Sequence, residues 1–231
     1  MGQIVFYWVG NDISIPTLLL KTIRILYRKD VRVIQISDQL TKKVSGIDEI
    51  IRINATGKLM TDRLYGYSKV KTIGRTTLFL DADTLIINVF SFNSYESGIY
   101  LAERISNPMI NHNHPQNYPE FEGKYFKEVM PYLAGVILIS DYENIFNEIL
   151  GTLHELPKRF HEWYGDQYAM KIFFETSKVK LSLLPEDFVY LLEFDGENTN
   201  LKLNLNTNNK VLTFKGSTKK LMYPIFKHLT K

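Results

Sequence analysis

Apolar residues fall into two patterns that alternate along the chain. Continuous runs at residues 4–9, 31–37, 99–102, 133–140, 181–184 and 211–214 are rich in β-branched and aromatic side chains and predict strands. A shorter run at 49–54 predicts one more. Between these, Leu18, Leu19, Ile23, Leu26 and Tyr27 recur at helical spacing, as do Ile145, Phe146, Ile149, Leu150 and Leu153. The first of these helices follows the Gly10-Asn11-Asp12 turn, with Ser14 or Asp12 as cap and Pro16 in its first turn. Further helices are predicted over 62–70, capped by Thr61, over 166–176 and over 221–229. Strands alternating with helices predict an α/β fold, a mixed and mostly parallel sheet with helices on both faces. No repeat or linker interrupts the pattern, so residues 1–231 read as one domain. Two polar segments stand outside it. One is 104–131, with Pro108, Pro115, Pro119, His112 and His114; the other is the Asn-rich 198–209. A connection as long as the first is often functional.

One apolar run breaks its own rule. Residues 77–87 read Thr-Leu-Phe-Leu-Asp-Ala-Asp-Thr-Leu-Ile-Ile, with carboxylates at Asp81 and Asp83. A charge in a buried strand is costly unless something compensates it. In an extended chain, side chains two apart point the same way, so Asp81 and Asp83 are expected to project together. Their expected place is the carboxyl rim of the sheet, where open α/β folds bind ligands. Two hard oxygen donors side by side suit Mn²⁺ or Mg²⁺, and such an ion suits a diphosphate.

Composition narrows the classes. The chain has 231 residues, is 45% hydrophobic and 23% charged, and carries a net charge of +3. That charge is too small, and too dispersed, to point to nucleic acid. There are no cysteines, which removes disulfides, thiolate metal sites and Cys nucleophiles. The N-terminal apolar run lacks a basic n-region and a cleavage site, so it reads as a first strand rather than a signal peptide. No stretch approaches the roughly 20 apolar residues of a membrane span. A cytoplasmic location is the expectation.

Several short motifs, in order, resemble the GT-A glycosyltransferases, and among them the family-8 enzymes related to glycogenin and bacterial galactosyltransferases. Asp81-Ala82-Asp83-Thr84-Leu85 is similar to that family's D-x-D strand, and Arg63-Leu64-Tyr65 to its upstream basic residue. Ala134-Gly135-Val136 matches an A-G-V strand, and Gly165-Asp166-Gln167 a G-D-Q helix start. Phe214-Lys215-Gly216-Ser217-Thr218-Lys219 resembles the C-terminal H-F-x-G-x-x-K segment. Three positions depart from the pattern. Thr213 stands where the family has a metal-binding His, Leu133 where an Asn precedes A-G-V, and Trp163 where an Asp precedes G-D-Q. The phosphate side of the pattern is mostly kept and the sugar side altered.

The resemblance implies a single GT-A domain that moves a sugar from a nucleotide-diphosphate donor, UDP-linked, to a glycan or other hydroxyl acceptor, with retention. It implies Mn²⁺ or Mg²⁺ held by Asp81 and Asp83. Arg63 and Lys219 would add positive charge around the diphosphate, with Gly216 letting backbone approach a phosphate. Val9 and Gly10 would meet the base through backbone groups, and Asp12 or Asp38 the base or ribose. Tyr67 would stack on the base or pack in the core. Ala82, Ala134 and Gly135 would line the donor site. Asp166 and Gln167 would contact donor sugar and acceptor as catalytic residues, although an ordinary N-cap explains Asp166 equally well. The segment 104–131 would wall the acceptor side, and its H-x-H pair reads as exposed. Two other readings compete. Asp81-Ala82-Asp83-Thr84 also fits the D-x-D-x-T pattern of haloacid-dehalogenase phosphatases, with Asp81 as covalent nucleophile. The departures also fit a module that binds a nucleotide sugar without turnover.

Overall fold

The computed structural model describes residues 2–110, 118–161, 164–192 and 205–230. In chain order the elements are β1 (Gln3–Tyr7), α1 (Ser14–Tyr27), β2 (Arg32–Ser37), β3 (Glu49–Arg52), α2 (Leu59–Tyr67), β4 (Thr76–Asp81) and β5 (Thr84–Ile86). Then come β6 (Gly98–Glu103), α3 (Phe126–Val129), β7 (Tyr132–Ser140), α4 (Ile145–Glu155), α5 (Gly165–Thr176), β8 (Leu181–Leu183), β9 (Val189–Leu192), β10 (Val211–Phe214) and α6 (Met222–Leu229). A seven-stranded sheet has the order β3-β2-β1-β4-β7-β6-β8, in which only β7 opposes the rest; a three-stranded sheet has the order β5-β10-β9.

The period of two decides the layers. Ile4 and Phe6 of β1 pack with Leu19, Leu20 and Ile23 of α1, while Val5 and Tyr7 pack with Leu64 and Tyr67 of α2 and Phe146 of α4. Phe79 of β4 joins the second group, and Leu78 and Leu80 the first. The central strands are therefore buried on both faces, which is why they read as unbroken apolar runs. A smaller core of Leu85, Leu192, Leu212, Phe214, Met222 and Ile225 joins the small sheet to α6.

The run 77–87 is not one strand. It divides at Ala82: Asp81 ends β4 in the large sheet, and Thr84 begins β5 in the small one. The seam is held by Thr84 Oγ1 donating to the Asp81 carbonyl at 2.8 Å and Phe214 N donating to the Asp83 carbonyl at 3.0 Å. Two other expectations need correction. The helix expected at 62–70 begins at Leu59, with no side-chain cap. Thr61 instead donates to the His161 carbonyl at 3.3 Å, and the Asp62 carboxylate accepts from the Thr56 and Gly57 amides of the preceding loop. Strand β9 was not expected at all; it forms by parallel pairing with β10, a partner distant in sequence. Among the described residues no helix is long and apolar enough to cross a membrane.

Candidate active site

A cleft of about 500 Å³ opens at the carboxyl ends of β1 and β4. Tyr7, Trp8 and Val9 enter it from the end of β1, Asp81, Ala82 and Asp83 from the β4–β5 seam, and Leu133 to Val136 from the start of the antiparallel β7. Lys215, Gly216 and Lys219 enter from the segment after β10, and Arg63 from α2. The small sheet thus delivers its basic residues to the same place where the large sheet delivers its acids.

The charges form one network. Arg63 pairs with Oδ1 of Asp81 and with Oδ2 of Asp166. Lys215 pairs with Oδ2 of Asp81 and lies 3.4 Å from Oδ1 of Asp83. Lys219 lies 2.9 Å from Oδ2 of Asp83. Every oxygen of the Asp81–Asp83 pair therefore faces a cationic nitrogen. Burial alone would push Asp81 up, but the Lys215 ammonium and then Arg63 outweigh it and hold the carboxyl well below the usual range. Burial likewise works against the Lys215 charge, yet Asp81 and Asp83 leave its value raised.

Local chain geometry makes these contacts possible. Gly216 takes a φ of +54°, a left-handed turn that brings the chain round from β10 to Lys219. The Lys215 amide donates to Thr218 Oγ1 at 2.8 Å, and that hydroxyl is itself hydrogen-bonded to the Leu192 carbonyl at 3.2 Å. Gly135 lies where β7 passes Asp81, and a Cβ there would come within 2.5 Å of Asp81 Oδ2. The glycine of the A-G-V motif is thus the space that the Asp81 carboxylate occupies. Ala134 and Val136 pack on opposite faces of the sheet despite being two residues apart, so β7 is irregular at this point.

Of the residues expected at the site, Val9, Arg63, Asp81, Ala82, Asp83, Ala134, Gly135, Gln167, Gly216 and Lys219 line the cleft. Others do not. Tyr67 is 1% exposed, packs against Phe79 and Phe146, and donates to the Leu80 carbonyl at 3.2 Å, so it belongs to the core and not to a base site. Asp166 is fully buried behind Arg63, in the first turn of α5, and does not line the cleft. Gly10 directs its amide to Thr41 Oγ1 at 2.9 Å. The Asp12 carboxylate accepts from Ser14 N and the Asp38 carboxylate from Thr41 N, each beside its own turn and outside the lining. Trp163, His112 and His114 lie outside the described residues, as does most of the Asn-rich segment.

Residues that the sequence reading missed complete the walls. Lys215 bridges the acid pair, and Trp8 lies half-buried beside Val9 with its indole N–H on the Asp12 carbonyl at 3.0 Å. A second group in the lining holds Phe126, Tyr164 and Arg104, while Leu59 and Met60 lie on α2 with Arg63, the Met60 sulfur 3.6 Å from its guanidinium. Arg104 donates to Gln167 Oε1 at 2.7 Å and lies 5.0 Å from the centre of the Phe126 ring.

No protein-family model matches the sequence, and no curated protein matches it. Among solved structures, the galactosyltransferase LgtC in complex with donor and acceptor sugar analogues is similar over 99% of this chain and 96% of its own, with a TM-score of 0.58 and 13% identity. An active-site mutant of LgtC matches with the same score and identity over 99% and 95%. The chain has the GT-A fold. In that fold the seam between the two sheets carries Asp81 and Asp83, and this is where the cleft lies.

The donor set for a metal is less complete. Asp81 and Asp83 are the acidic side chains lining the cleft among the described residues. Thr213, in the position of the family's His, contributes a neutral hydroxyl that is buried without a hydrogen-bond partner. No group of three or more His, Asp or Glu side chains among the described residues is arranged to hold an ion. With Lys215 and Lys219 on their oxygens, the two carboxylates do not fit Mn²⁺ or Mg²⁺ in the arrangement seen.

Proposed function

We propose that this protein is a glycosyltransferase that moves a sugar from a nucleotide-diphosphate donor, UDP-linked, to a hydroxyl of a glycan or similar acceptor. The observation that carries the reading is the cluster of Asp81 and Asp83 with Arg63, Lys215 and Lys219 at the strand-end cleft of a GT-A fold. LgtC, similar in fold, has been described with donor and acceptor sugar analogues, which is the pair of ligands this reading requires.

In the reaction, the bond between the anomeric carbon and the diphosphate oxygen breaks, and its electron pair leaves on the diphosphate. The acceptor oxygen bonds to the anomeric carbon, and its proton passes to the departing diphosphate. Fixed cations aimed at the leaving oxygens stabilise the charge that grows there. Among the described residues no unpaired carboxylate lines the cleft, so none is positioned as nucleophile or base on the sugar. That supports front-face transfer with retention, in which the leaving group itself takes the proton. Trp8 and Val9 would receive the nucleobase, since Tyr67 packs in the core. Gln167 would meet the sugar, and Phe126 and Tyr164 the acceptor. Asp166 would act through Arg63, holding the guanidinium on Asp81. The Mn²⁺ or Mg²⁺ expected from the D-x-D resemblance would supply Lewis-acid stabilisation at Asp81 and Asp83, but the residues present do not fit it as arranged, and no step here requires it.

The test is an assay of UDP release from UDP-hexoses with candidate glycan acceptors. Release dependent on acceptor supports transfer. Binding of UDP without release for any donor would support the non-catalytic module. Release of inorganic phosphate from phosphomonoesters would support the phosphatase reading, which needs Asp81 free as a nucleophile although both its oxygens are ion-paired.

A further inference from the structure

We infer that Lys215 is the built-in cation of this site: its ammonium occupies the place between Asp81 and Asp83 that a divalent ion would bridge, and with Lys219 and Arg63 it holds the donor diphosphate without a metal. This rests on the nucleotide-diphosphate reading above.

The four carboxylate oxygens are what a metal would coordinate. Here Arg63 has Oδ1 of Asp81, Lys215 has its Oδ2 and the facing Oδ1 of Asp83, and Lys219 has Oδ2 of Asp83. A metal could enter only by displacing ammonium groups that would remain within repulsive reach of it. The lysine is also fixed at its base. Its backbone is tied through Thr218, which is 1% exposed, to the end of β9, so its stem leaves from a rigid point. The glycine turn at Gly216 returns the chain so that Lys219 meets the second acid.

The same arrangement suits a phosphate. A lysine ammonium has three N–H donors. The two carboxylates account for two at Lys215, leaving one for a phosphate oxygen, and Lys219 keeps two beyond its contact with Asp83. Asp81, Asp83 and Asp166 balance Arg63, Lys215 and Lys219 in charge, so with Arg104 in the lining the site carries one net positive charge before the donor arrives, and the acids serve to orient the ammonium groups. During transfer Lys215 keeps its protons. It donates hydrogen bonds to the diphosphate as the electron pair leaves the anomeric carbon, and no group changes oxidation state.

The experiment is calorimetric titration of UDP into the full chain, in EDTA and then in Mn²⁺, for the parent protein, Lys215→Met and Lys215→Arg. The expected result is that the parent binds UDP in EDTA and gains little from Mn²⁺. Lys215→Met should weaken binding in EDTA roughly 10- to 100-fold, the worth of a hydrogen bond to a charged group, and should make what remains depend on Mn²⁺, since the freed carboxylates then take the ion. Lys215→Arg, which keeps the charge and serves as the control for folding, should retain binding in EDTA. Binding by the parent only with Mn²⁺, unaffected by Lys215→Met, overturns the inference and leaves the glycosyltransferase reading standing. No binding of UDP by the parent in either condition overturns both.

Discussion

The two walls of the cleft are built on different physical terms. On one side, acids and bases from α2, β4, the β4–β5 seam, the β10 turn and α5 converge into a single ion-paired network. On the other, Phe126 and Tyr164 present aromatic surface, with Arg104 spanning Gln167 and the Phe126 ring. The first wall depends on partners remaining in place, because removing one strands a buried charge. The aromatic residues of the second tolerate change, because trimming them loses contact and strands no charge.

The sharpest way to break the charged wall is Arg63→Ala. It leaves Asp81 and the fully buried Asp166 without their shared cation. Stripping one partner from a buried pair costs roughly 3–5 kcal/mol, and the melting temperature should fall by about 2–4 °C per kcal/mol for a chain of this length. An unchanged melting temperature would mean that the network carries no structural load. Gly135→Ala comes next. Its Cβ would meet the Asp81 carboxylate at 2.5 Å, so denaturant unfolding should show a loss of roughly 1–3 kcal/mol from overpacking, together with weaker UDP binding as Asp81 is pushed off Lys215. Trp8→Ala should leave stability nearly untouched, since the ring is only half-buried. It should lower UDP affinity by the roughly 1–3 kcal/mol of a base–aromatic stack, and an equal loss of affinity for inorganic pyrophosphate would place Trp8 elsewhere.

The smallest expected effect is that of pH. Despite the opposing pull of burial, Lys215 and then Arg63 hold Asp81 low, so its pairing contributes stability above about pH 4 that is lost as pH falls through the lowered value. Lys215 is raised, so its contribution is complete below about pH 10 and is lost as pH rises through the raised value. The network should therefore hold stability flat between about pH 5 and 9, and a step in that window that disappears in Lys215→Met would contradict these directions.

The sequence displayed the charged wall more clearly than the other, for physical reasons. Carboxylates inside an apolar run are conspicuous because their local setting is costly without a purpose. Asp81 and Asp83 stood out that way, while Arg63, Gly135 and Lys219 came from the family resemblance. Lys215 was passed over because a lysine after a short strand looks like any solvated base; its spacing of four from Lys219, across Gly216, was the available signal. Tyr67, open between base stacking and the core, takes the core, as its place three residues after Leu64 on the inward face of α2 would have decided. The division of 77–87 between two sheets left no local trace, since both halves are equally apolar and only the distant partner β10 distinguishes them. Of the second group, only Arg104 and Phe126 fall in the long polar segment that the sequence marked; Tyr164, just before α5, has no motif of its own.

The central claim is that the charged cluster holds the diphosphate of a nucleotide. The most direct measurement is the affinity of the chain for UDP compared with uridine, by calorimetry at fixed salt. UDP should bind markedly more tightly than uridine, and most of the advantage should be lost when Lys215 and Lys219 are both replaced by methionine. Equal affinity for uridine and UDP, or an advantage that survives the double replacement, would contradict the account.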